Sequence, residues 1–156
     1  MTMSITFSRN LIKGRIAEVI FEQMMREESK YIIIPFGYEH TAPILAQYRH
    51  ISEVPKIIDN ISEAPDFALI SNDKTKLYLV EVKYQRNFNL DEIKSNCEKL
   101  LKRFESPWVF IVTSKKFYCA PCSAVLKSGN ISELSESWVT KDRQVKYLKL
   151  LNEFEK

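Results

Sequence analysis

The run Trp108-Val109-Phe110-Ile111-Val112-Thr113 limits what this chain can fold into more than any other stretch. Side chains alternate faces along a strand, so a run that stays apolar at consecutive positions needs cover on both sides. Helices packed on the two faces of a sheet provide that cover, which points to an α/β domain. The chain has 156 residues, 45% of them hydrophobic: enough for one sizeable core and too few for two. A single domain over 1–156 is expected.

The remaining patterns give an order of elements. A helix is expected to start after Ser8 or Asn10 and to run to about Glu28, with Ile12, Ile16, Ala17, Val19, Ile20, Phe21, Met24 and Met25 covering most of its circumference. Arg15, Glu22 and Arg26 form a narrow polar stripe, and Glu18 stands at its edge. Tyr31 to Phe36 reads as a β-branched strand whose Pro35 marks a sheet edge or the strand's end. About 37–64 shows no clear periodicity and reads as an insertion, with short helices conceivable near 44–51 and 56–61. Pro65 to Ile70 and Leu77 to Gln85 are apolar strands joined by the polar turn Ser71–Lys76, hence a hairpin. A second helix spans about Leu90 to Phe104 on the stripe Ile93, Cys97, Leu100, Leu101 and Phe104. The unbroken strand comes next. Residues 117–127 read either as two short strands or as a strand and a helical turn. A last helix from about Lys141 to Phe154 brings Val145, Leu148, Leu151 and Asn152 to one side. Helix, three strands, helix, strand, then a C-terminal extension over about 114–156 describes an α/β fold with a mixed sheet.

Chemistry concentrates on the hairpin. In Leu77–Gln85, Leu77, Leu79, Glu81 and Lys83 share one face; the leucines are expected in the core and the charges at a cleft where the sheet frays. Asp66 opens the partner strand, with fourteen residues between it and Glu81. Antiparallel pairing sets the start of one strand beside the end of the other, so Asp66, Glu81 and Lys83 can converge. Two adjacent carboxylates repel each other unless a proton or a cation joins them, and Mg²⁺ accepts such a pair together with water and a phosphate oxygen.

Pro65-Asp66, fourteen residues, then Glu81-Val82-Lys83 resembles the active-site signature of the PD-(D/E)XK nuclease superfamily. The resemblance covers the αβββαβ order from about 11 to 113. The stretch Lys13-Gly14-Arg15-Ile16-Ala17-Glu18 is similar to the glutamate-bearing first helix of its Holliday-junction-resolvase-like members. It implies a restriction-endonuclease-like fold and a metal-dependent endonuclease acting on branched or duplex DNA, as in resolution, repair or restriction. Asp66, Glu81 and the Val82 carbonyl would hold Mg²⁺ or Mn²⁺. Lys83 would orient or deprotonate the attacking water, and Glu18 would hold a second metal or a water. The glutamine and tyrosine that the exonuclease-like branch carries on helix two are replaced here by Asn89, Lys94 and Asn96, which argues against that branch. A nuclease-fold module that binds DNA or protein without cutting is the rival reading.

The net charge of +3 is too small to announce a nucleic-acid partner, but from Lys74 to Lys116 basic residues outnumber acidic ones about two to one. Arg86, Lys94, Lys102 and Arg103 are the candidate phosphate contacts there, weighed against a merely solvated helix face. Cys119-Ala120-Pro121-Cys122 lacks the helix that a thiol oxidoreductase needs at its first cysteine, and is half of a zinc site at most. Two semi-buried cysteines in a hairpin are expected instead. His40 and His50 have no catalytic partner at a recognisable spacing and read as loop residues. Three cysteines, no leader-like start and no apolar run near the roughly 20 residues of a membrane span fit a cytoplasmic protein with no membrane partner. An apolar stripe on the last helix could serve a homodimer.

Overall fold

The computed structural model describes residues 5–35, 47, 50–53 and 65–155, and of 6 and 7 only the backbone. Phe36, His40 and most of the two short helices expected between 44 and 61 lie outside that set. The described elements are α1 (Ile5–Glu28), β1 (Tyr31–Pro35), β2 (Phe67–Ser71), β3 (Leu77–Tyr84), α2 (Leu90–Leu101), β4 (Pro107–Val112), β5 (Phe117–Pro121), α3 (Cys122–Ser128) and α4 (Lys141–Phe154). The strands form one mixed sheet in the order β1-β2-β3-β4-β5. Only β3 and β4 are parallel, as a strand–helix–strand crossover through α2 requires. The α/β class and the expected order of elements are both present.

β4 does what its composition demands. Phe110 and Val112 enter one core with α1 and α4, while Val109 and Ile111 enter a second core with α2 and α3. In the first core the Phe21 ring lies 5.0 Å from that of Phe67 and 4.8 Å from that of Phe110, so one side chain of α1 touches both β2 and β4. β1 is an edge strand ending at Pro35, where the missing N–H breaks no ladder.

Three details differ from expectation. α1 begins at Ile5, ahead of Ser8 and Asn10, because no Pro or Gly interrupts residues 5–13. Its buried arc is also narrower: Ile12 and Val19 are more than half exposed, and with Leu150 and Phe154 they line a shallow apolar groove of about 470 Å³ between α1 and α4. On α4 the buried residues are Gln144, Tyr147 and Leu151, and Val145 is exposed. The amide of Gln144 is donated to the carbonyls of Leu134 and Val139, so a polar residue occupies the inward position with its donors satisfied.

α1 and α4 are also tied electrostatically. The Glu28 carboxylate takes the Arg143 guanidinium at 2.9 Å and the Thr140 N–H at 2.7 Å. Burial works against that charge, yet the Thr140 amide and Arg143 hold the carboxyl below its usual range. Truncating Phe21 to Ala is expected to cost about 3–5 kcal/mol in urea unfolding, because the cavity opens where three elements meet. A carboxyl with a lowered native pKa stabilises fully above its unfolded value near 4.3 and loses that contribution as acid protonates it in the folded state. Stability measured from pH 6 to pH 3 should therefore fall more gently in Glu28→Gln than in the wild type.

Candidate active site

The β2–β3 ladder ends one residue short of the chemistry. Its last pair is Phe67 with Val80, and continuing the register sets Asp66 opposite Glu81 on the same face. β2 has no backbone left to offer β3 at this level. The N–H of Val82 is donated instead to Oδ2 of Asp66 at 2.8 Å, in a buried position. A strand residue directs its N–H and C=O toward the same neighbour. The Val82 carbonyl therefore also points past the end of β2, toward the Asp66 carboxylate. Lys83 follows on the Glu81 face, half-buried.

That face is open for a structural reason. α2 and α3 make their sheet contacts with β4 and β5, so among the described residues no helix covers the same side of β2 and β3. Leu77 is consequently 62% exposed and Leu79 half-buried, which corrects the expectation that the leucines enter the core. The row entering the core is Val80 and Val82, with Tyr78 and Tyr84 packed against it.

Asp66, Glu81 and Lys83 line a cleft of about 630 Å³, and Glu18 lines it from α1. The four sequence candidates thus come together from three separate elements. Glu18 is paired with Arg15 at 3.6 Å, so it faces the cleft while sharing its charge with a neighbour one helical turn away. Among the described residues, four carboxylates, with Glu92 added, meet three cations, Arg15, Lys83 and Arg86, which leaves that lining net acidic. Among the described residues, no three His, Cys, Asp or Glu side chains are grouped to hold a metal by themselves. A hard cation at Asp66 and Glu81 would need the Val82 carbonyl, waters and a substrate oxygen to complete its shell, which is the mode Mg²⁺ prefers. Glu18 does not join them in a three-carboxylate cage.

The start of α2 is tied to the cleft by a clamp. The side chain of buried Gln85 accepts the Asn89 N–H and donates to the Asn89 carbonyl, both at 3.0 Å. Asn89 in turn caps α2 by accepting the Glu92 N–H. The loop carrying Arg86 and Asn87 is thereby held against the cleft. No periodicity marks Gln85; a glutamine four residues before an asparagine cap is the only trace in the sequence. Gly14 also lines the cleft, and a β-carbon there would meet nothing within 4 Å. A mid-helix glycine costs about 1 kcal/mol relative to alanine, and no neighbouring atom among the described residues demands it.

The candidate phosphate contacts divide. Arg86 lines the cleft. The Lys94 ammonium lies over the left-handed Gly129 that closes α3, 3.7 Å from where a β-carbon would sit. Lys102 and Arg103 follow the last turn of α2, about 18 Å along the helix from the end that meets the cleft. The basic face of α2 is not brought to the carboxylates. The cysteines are structural: Cys122 starts α3 fully buried, its thiol pushed up by a hydrogen bond with Cys97, then by burial and nearby negative charge including Glu81. Residues 117–127 thus form the strand and helical turn of the two alternatives, with Cys119 in the β4–β5 hairpin and Cys122 at the start of the helix, and burial pushes the Cys119 thiol up to about 12. Neither has the character of a reactive thiolate.

No protein-family model and no curated protein sequence matches this chain. Asp66 is expected to carry a structural duty separable from any chemistry. Asp66→Ala should cost about 1–3 kcal/mol more than Asp66→Asn in urea unfolding without divalent cations, because only alanine removes the acceptor of the Val82 N–H.

Proposed function

We propose that the protein is a metal-dependent deoxyribonuclease of the PD-(D/E)XK type, hydrolysing phosphodiester bonds at the cleft below α1. The single observation that carries this reading is the meeting of Asp66, Glu81 and Lys83, with Glu18, in one net acidic cleft at the frayed end of a hairpin. A phosphodiester is an anion, so a net acidic cleft favours one only with a cation added. Bound at Asp66, Glu81 and the Val82 carbonyl, Mg²⁺ or Mn²⁺ would polarise a phosphate oxygen and lower the pKa of a bound water.

The chain's own residues supply the rest. Asp66 is fixed by its bond to Val82, so its carboxylate keeps one direction. The Lys83 ammonium, one β repeat beyond Glu81, donates to a non-bridging phosphate oxygen and offsets the charge that grows there as water adds to phosphorus. The ester P–O bond opposite the water then breaks, leaving a phosphomonoester and a hydroxyl. Arg86, on the clamped loop, holds a neighbouring phosphate. Gly14 leaves the α1 wall without a side chain, so a sugar–phosphate backbone can approach the helix closely.

Purified protein should cut at least one of a junction, duplex, nicked or single-stranded DNA in Mn²⁺ and none in chelator. Asp66→Ala and Lys83→Ala should each lower the rate by at least about 100-fold while the fold survives by circular dichroism. If the wild type binds DNA but never cuts it, and both variants bind equally well, the module is a non-catalytic nuclease-fold binder instead.

A further inference from the structure

On the other side of α1 lies a second groove, of about 550 Å³, which no sequence pattern announced. Ser8, Arg9 and Lys13 of α1 line it with Ser114 of the β4–β5 turn and Glu155 at the end of α4. It shares Tyr84 and Arg86 with the carboxylate cleft, so the two hollows meet beneath the N-terminal half of α1, at the end of β3.

Their charges are opposite in character. Among the described residues, the cleft sets four carboxylates against three cations, whereas the groove sets Arg9, Lys13 and Arg86 against Glu155 alone. Glu155 is itself engaged, accepting the Tyr84 hydroxyl. The Lys13 ammonium stands 5.5 Å above the centre of the Tyr84 ring, a cation–π placement that keeps it over the groove. The wall is held in place as well, since the Asn152 amide is donated to the Ser114 carbonyl at 3.1 Å. Arg9 and Lys13 are four residues apart on a helix, so they form neighbouring positive points about 6 Å apart at their β-carbons, the scale of successive phosphates on an extended strand. A guanidinium, an ammonium and two hydroxyls on fixed elements are donors suited to phosphate oxygens.

We propose that this groove binds the sugar–phosphate backbone of the nucleic-acid strand leaving the cleft, with Arg86 at the junction and Arg9 and Lys13 on the next phosphates. The direction of the strand rests on the nuclease reading; the affinity of the groove for a polyanion does not. It also places the phosphate contacts on α1, where the basic face of α2 had been expected to supply them.

Salt dependence counts phosphates directly, because each one neutralised releases condensed counterions. Binding of a fluorescein-labelled DNA that the wild type retains would be measured from 50 to 200 mM salt in Ca²⁺. The test variant is Arg9→Gln/Lys13→Gln; Arg9 is exposed and Lys13 half-exposed, and its thermal melt checks the fold. Lys127→Gln, at an exposed position of α3, controls for the loss of a positive charge elsewhere on the surface. The double variant should bind about tenfold more weakly at low salt and lose about 1–2 from the slope of log affinity against log salt, while Lys127→Gln stays within about twofold. An unchanged slope in the double variant, or an equal loss in Lys127→Gln, overturns the groove. Cleavage by the wild type with an unchanged slope in the double variant removes the groove and keeps the nuclease. The expected slope loss in a protein that never cuts keeps the groove and removes the nuclease. Absence of any DNA binding removes both.

Discussion

The Val82 amide has no strand to bond on the β2 side, and the Asp66 carboxylate takes its place. An unsatisfied buried N–H costs about 1–3 kcal/mol, so this one bond makes the end of the hairpin tolerable as structure. It also orients everything nearby. Asp66 is held at the level of Glu81, the Val82 carbonyl is left beyond the ladder, and Lys83 is carried one repeat further on the Glu81 face. A continued β2 strand would have met the same N–H with a carbonyl and closed the gap.

Uneven cover over the sheet gives that end its access. α1 and α4 bury one face through Phe21, Tyr147 and Leu151, whereas α2 and α3 bury the other only over β4 and β5. The exposed Leu77 and the open carboxylate row are two results of the same shortfall. α1 then acts as a partition. It carries Glu18, Arg15 and Gly14 toward an acidic cleft, and Arg9 and Lys13 toward a basic groove. A helix repeats every 3.6 residues, so residues only a few positions apart can serve opposite sides.

Where the residue pattern was strong, reading it worked. β4 splits its side chains between two cores as a run of apolar residues must, and α2 keeps Ile93, Cys97 and Leu100 inward as its stripe indicates. Asp66, Glu81 and Lys83 line one cleft, as the strand order and spacing indicated, and Glu18, expected there from the resemblance alone, lines it from α1. The failures have physical sources. Leu77 looks like core because leucine usually is, but burial depends on which helix lies above it. Val145 and Val19 are apolar without being covered, since α1 and α4 meet along a different line. Lys94, Lys102 and Arg103 form a basic cluster in the chain, yet the axis of α2 carries two of them to the far end and turns the third onto Gly129. Gln85 could not be singled out because its role is two hydrogen bonds to one residue's backbone, which no periodicity records.

Local chemistry therefore came from the chain order alone: which segments are strands, which helix faces are apolar, and that two carboxylates and an amine occupy facing ends of a hairpin. Those are properties of neighbours within a few residues, where the two- and 3.6-residue periods hold. Packing decided the rest. The missing helical cover over β2 and β3 among the described residues, the clamp on the Arg86 loop and the basic groove behind α1 all depend on packing, and only the way helices settle on a twisted sheet sets which residues meet.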